Sequence, residues 1–166
     1  FDFWDNFLTV MLLNLGFLLL LTVPLLLAPA AAQLNLILGL LTAIAGIGII
    51  FVYLGGATGL ASAIADFRTP EWQQFLQSLR ANLTSALVIA GITVAHFMLL
   101  AIAFPVYWQM GSLFSLFALA LIFWMSVIWW LAAQYYFPAR TRLDSSVVKV
   151  LKKTVILFFD NPGYTF

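Results

Sequence analysis

Residues 83–108 read LTSALVIAGITVAHFMLLAIAFPVYW, a run without a single Asp, Glu, Lys or Arg. About 20 mainly apolar residues suffice to cross the ~30 Å hydrocarbon core of a bilayer as a helix, so this stretch is long enough to span a membrane. Three others qualify by the same measure, at about 7–28, 34–57 and 113–137. The whole chain agrees with them: of 166 residues, 64% are hydrophobic and 8% charged, with a mean hydropathy of +1.09. Soluble domains sit near roughly 45–50% apolar and about 25% charged, which argues against a soluble protein. The expected fold is all-α, a polytopic transmembrane helical bundle with four spans in one integral membrane domain. The first stretch is read as a span and not as a cleaved signal, because no basic segment precedes it.

The seven basic residues are the next most informative feature. Arg68 and Arg80 follow the second span, and Arg140, Arg142, Lys149, Lys152 and Lys153 follow the fourth. The connections after spans one and three, 29–33 and 109–112, hold none. The positive-inside rule then places the N-terminus in the cytoplasm and the chain in a cytoplasmic (inner) membrane. These seven residues are read as topology determinants and lipid-headgroup contacts. A net charge of +1, with the basic residues beside apolar spans, gives no nucleic-acid surface. Trp4, Tyr107, Trp108, Trp129, Trp130, Tyr135 and Tyr136 cluster near expected span ends, where an amphipathic ring keeps its polar atom at the headgroups.

Two basic segments carry helical patterns of their own. Thr69-Pro70-Glu71 reads as an N-cap, a proline at the first helical position and an acid in the first turn. Trp72, Phe75, Leu76, Leu79 and Leu83 then recur at helical spacing, which predicts a short interfacial helix over about 70–81 running into span three. A second is expected over about 145–159, capped by Asp144 or Ser145. Its apolar side would carry Val147, Val148, Leu151, Val155 and Phe158, with Lys149, Lys152 and Lys153 reaching toward phosphates. Both are read as membrane-surface anchors, with docking of a cytoplasmic partner as the alternative.

Candidate chemistry is sparse. The absence of cysteine removes disulfides, thiolate metal sites and Cys nucleophiles. Asp2, Asp5, Asp66, Glu71, Asp144 and Asp160 all lie at or outside the expected interface, and no phosphate loop, dinucleotide fingerprint or metal-ligand cluster is present. Neither an enzyme nor a bound metal or cofactor is expected. His96, the sole histidine, sits near the middle of span three, and an ionisable residue at that depth is a functional candidate by default. It is read as a neutral imidazole bonded to a neighbouring helix or subunit, with a pigment or haem ligand and a transport role as alternatives. Asn14 and Pro24 share span one: an amide in hydrocarbon seeks a partner, and a proline kinks the helix. Gly55, Gly59 and Ala63, each four apart, mark with Asn14 the expected helix-packing interface.

Several of these segments resemble the YesL-like family of small bacterial integral membrane proteins. They are Asn14-Leu15-Gly16-Phe17 with Pro24, then Gly55-Gly56-Ala57-Thr58-Gly59-Leu60 leading to Trp72-Gln73-Gln74-Phe75, then Gln134-Tyr135-Tyr136-Phe137-Pro138 before the apolar stretch 148–157. The resemblance implies a five- or six-span bundle whose last span follows Phe166, so that this chain reads as part of a longer protein. It implies bacterial origin but no defined activity. The function expected from the residues is that of a non-catalytic accessory or scaffolding subunit, in contact with the lipid bilayer and with other membrane protein subunits. A transport component with a polar path near Asn14, Pro24 and His96 is the alternative, and a pigment- or haem-holding subunit through His96 a further one.

Overall fold

A computed structural model describes residues 6–143 and 146–160. Helix α1 (Phe7–Thr22) passes through one π-helical turn (Val23–Leu27) into α2 (Ala28–Leu34), and α3 (Leu36–Ala65), α4 (Trp72–Met110), α5 (Leu113–Ala133), α6 (Tyr136–Leu143) and α7 (Val147–Asp160) follow. The described residues contain no strand, and four helical runs are long and apolar enough to cross a membrane: Phe7–Leu34, Leu36–Ala65, Trp72–Met110 and Leu113–Arg142. The all-α, four-span architecture is therefore that expected from hydropathy. The chain divides into two compact units, residues 1–94 and 95–166.

In the first unit the connection expected over 29–33 is helical. Pro24 has no N–H to give and its ring crowds the preceding turn. The helix widens there, the Ala28 N–H reaching the Val23 carbonyl one residue beyond the usual partner. Pro29 then falls in the first turn of α2, where a missing N–H costs little, and Ala30, Ala31 and Ala32 are strong helix formers. The chain reverses at Asn35 alone. Its backbone is extended, and its side-chain oxygen accepts from the N–H groups of Ile37 (2.8 Å) and Leu38 (3.3 Å), capping α3.

Helix α3 continues eight residues past the expected end at Ala57. It closes in a Schellman turn: the Phe67 N–H donates to Ile64 O (3.1 Å) and the Arg68 N–H to Ala63 O (2.8 Å). Phe67 holds the left-handed φ of 57° that this position usually gives to glycine. The cap of α4 lies two residues later than the sequence reading had it. Trp72 is the first helical residue, and the Glu71 N–H donates to Gln74 Oε1 (3.2 Å) while the Gln74 N–H donates to Glu71 O (2.9 Å). This is one half of a capping box with glutamine at N3; Thr69, preceding a proline, is biased to extended backbone instead of serving as the cap. The amphipathic stretch expected over 70–81 supplies the first turns of α4 and is not a separate helix.

In the second unit, Gly111, with φ of 59°, ends α4. Ser112 caps α5, its Oγ accepting from the Ser115 N–H at 3.1 Å. The second expected interfacial helix is present as α7, and it packs on α5 and α6. Its buried stripe is Val150, Thr154 and Phe158. Val148 and Val155, expected on the apolar side, are 76% and 42% exposed. The stripe is rotated toward Thr154 because residues four apart align on a helix, and the sequence reading joined two adjacent faces into one. The expected caps Asp144 and Ser145 lie outside the described residues; the Ser146 carbonyl accepts from the Val150 N–H at 3.0 Å.

Candidate functional site

The polar side chains within the spans are the groups able to carry chemistry, and in each case the first question is what they bond. On α4, Ser78 and Asn82 lie one turn apart facing α3. Ser78 Oγ donates to Gly55 O (2.8 Å), and Asn82 Nδ2 donates to the same carbonyl (3.2 Å) and to Ser78 Oγ (3.1 Å). Asn82 is buried. The approach is possible because the facing positions lack side chains: a Cβ on Gly59 would stand 2.5 Å from Gln74 O and 2.6 Å from Ser78 Cβ. Ala63, one turn further, is buried as well. At Gly55 and Gly59 the helix that approaches is α4 of the same chain.

Tyr53 makes a comparable bond on another side of α3, its hydroxyl donating to Leu13 O at 2.8 Å beside Gly16. Pro24 packs against Gly46 of α3. Asn14 is on the far side of α1, where its amide donates once, to Val10 O one turn back (2.9 Å). It lies in a shallow groove formed by α1 itself, with Phe7, Val10, Met11, Leu15 and Leu18 around it. Neither Pro24 nor His96 lines that groove.

His96 belongs to the second unit, where Nε2 is 3.0 Å from Ser126 Oγ. The Ser126 hydroxyl also lies 2.7 Å from Ile122 O, a separation that requires its hydrogen to point there. Ser126 Oγ then accepts from a proton on Nε2 of the imidazole. Nδ1 is the ring nitrogen that remains for any ligand, since binding through Nε2 would first break the bond to Ser126. Phe97, next to it, packs its ring on Trp130 at 5.5 Å.

Other expectations shift. Tyr136, expected to place its hydroxyl among the headgroups, is 1% exposed and its ring packs edge-on to Phe137 at 5.3 Å. Its hydroxyl, with Thr154 Oγ1, Thr93 Oγ1 and Trp129 Nε1, is buried without a hydrogen-bond partner among the described residues. Arg68 pairs with Asp66 at 2.8 Å, while Arg80, Arg142, Lys149, Lys152 and Lys153 are exposed and Arg140 is half-buried. No group of three His, Cys, Asp or Glu able to hold a metal occurs among the described residues.

Ser78, Asn82, Tyr53 and Ser126 did not stand out in the sequence. A signal existed for the first two: Ser78 and Asn82 are four apart, the same step as Gly55 and Gly59 on the helix they meet. Comparison of the chain with family models, with curated proteins and with solved structures finds no match in any of the three.

Proposed function

We propose that the chain is a non-catalytic accessory or scaffolding subunit of a larger bacterial inner-membrane complex, a member of the YesL-like family with its N-terminus in the cytoplasm. The observation that carries this reading is the use made of intramembrane polarity. Ser78, Asn82, Tyr53, His96 and Ser126 all bond helix to helix within a unit instead of converging on a cavity. That is the chemistry of a rigid scaffold. The placement of all seven basic residues after even-numbered spans supports the orientation.

Partner helices would not use the small-residue face of α3, which α4 occupies. One available surface is the outward side of α1, which buries none of its residues. Purification of the tagged full chain from its native membranes in mild detergent, with mass spectrometry and an absorption spectrum of the same peak, tests the reading. A reproducible, stoichiometric set of other membrane proteins is expected. A colourless preparation holding this chain alone would refute it, and visible absorbance would refute it in favour of ligation at His96 Nδ1.

A further inference from the structure

Asn14 has bonding capacity left over. One amide N–H is given to Val10 O, and the second N–H and the carbonyl Oδ1 have no partner among the described residues. The residue lies seven positions, about 10 Å, beyond the first residue of α1, at a depth where no water is present to bond it. One donor and one acceptor left on the same amide make a self-complementary pair.

We infer that this face of α1 is a homodimer seam, in which Asn14 of one copy and Asn14 of a second exchange two N–H···O hydrogen bonds across a twofold axis. Lipid chains offer neither donor nor acceptor, so lipid at this face leaves the amide unsatisfied. A helix of another protein would need a matching polar group at the same depth. A second copy brings one necessarily, because two copies inserted with the same orientation place Asn14 at the same level.

The surrounding residues suit a parallel pair. Within α1, Phe7, Met11, Asn14, Leu18 and Leu21 follow one another in alternating steps of four and three, the spacing of a helix-pair seam, and a single asparagine in such a seam fixes register. The groove around Asn14 supplies a hole for a facing side chain. The opposite side of α1 is already engaged with Tyr53 through Gly16 and Leu13, so Asn14 does not compete with that contact. The inference deepens the subunit reading and rests on it for the premise that the outward side of α1 meets protein.

The chain has no cysteine, so single cysteines report without a background. In native membranes holding the full chain, Met11→Cys and Leu18→Cys should form disulfide-linked dimers on mild oxidation. Leu19→Cys, equally exposed but about 100° round the helix from Leu18, should not. Adding Asn14→Leu should lower the Leu18→Cys cross-linking yield at limiting expression by about five- to tenfold, and Asn14→Gln should restore most of it. Equal yields at positions 18 and 19, no cross-link at 11 or 18, or a yield indifferent to Asn14→Leu would each overturn the homodimer. Cross-linking of positions 11 and 18 to a different membrane protein would overturn the homodimer and leave the subunit reading standing.

Discussion

Gly59→Ala should be among the most damaging one-carbon changes in this chain. The added Cβ would stand 2.5 Å from Gln74 O and 2.6 Å from Ser78 Cβ, against ordinary contacts of about 3.5 Å, and Gln74 O is backbone that no rotamer change can move. The two helices must part by about 1 Å. The Ser78 and Asn82 bonds to Gly55 O, at 2.8 and 3.2 Å, then lengthen past hydrogen-bonding range. Overpacking costs about 1–3 kcal/mol, and each interhelical bond lost in a membrane protein about 0.6 kcal/mol, giving about 2–4 kcal/mol together. Gly48→Ala and Gly91→Ala are the controls, since a Cβ on either meets nothing within 4 Å. They should be neutral or stabilise by up to about 1 kcal/mol through helix propensity. Reversible unfolding by SDS titration in mixed micelles, followed by circular dichroism, measures all three. A Gly59→Ala protein within about 0.5 kcal/mol of the parent would refute the close packing of α3 on α4.

A double-mutant cycle on His96→Leu and Ser126→Ala should return a coupling of about 0.6 kcal/mol and at most about 1.7 kcal/mol, read in the same titration; zero coupling would show that the imidazole does not bond Ser126. Phe67→Gly should stabilise by about 1 kcal/mol by relieving a left-handed backbone at a position 76% exposed, and a loss of stability would mean that the Phe67 ring contributes more than the backbone costs. A membrane-impermeant maleimide applied to intact cells should label single cysteines placed at Gln33 and Gln109 but reach those at Thr69 and Thr141 only after the cells are opened. The reverse pattern would invert the proposed topology.

The number of spans was legible because hydropathy over twenty residues outweighs any local detail; their ends were not. Pro29 marked a loop in the sequence, yet one π turn absorbs Pro24 and lets the following alanines stay helical. Thr58, just past the expected end of span two, bonds Leu54 O through its hydroxyl at 2.7 Å and so continues the helix at no polar cost. The Gly55–Gly59 spacing announced a close approach without naming who approaches, since small residues carry no information about their partner. Ser126 is thirty residues from His96, and no local pattern joins them. The face of α7 was misjudged because Thr154 reads as polar while the packed stripe runs through it.

The brevity of two turns has a consequence for how this protein meets its surroundings. Asn35 alone joins the first pair of spans, and Gly111 with Ser112 joins the third to the fourth. Each of these turns leaves almost no chain outside its two helices for a protease to cut, a modifying enzyme to grip or a soluble protein to hold. At these two hairpins the protein is nearly mute outside the lipid, and what it exchanges there with its surroundings passes through the sides of its helices.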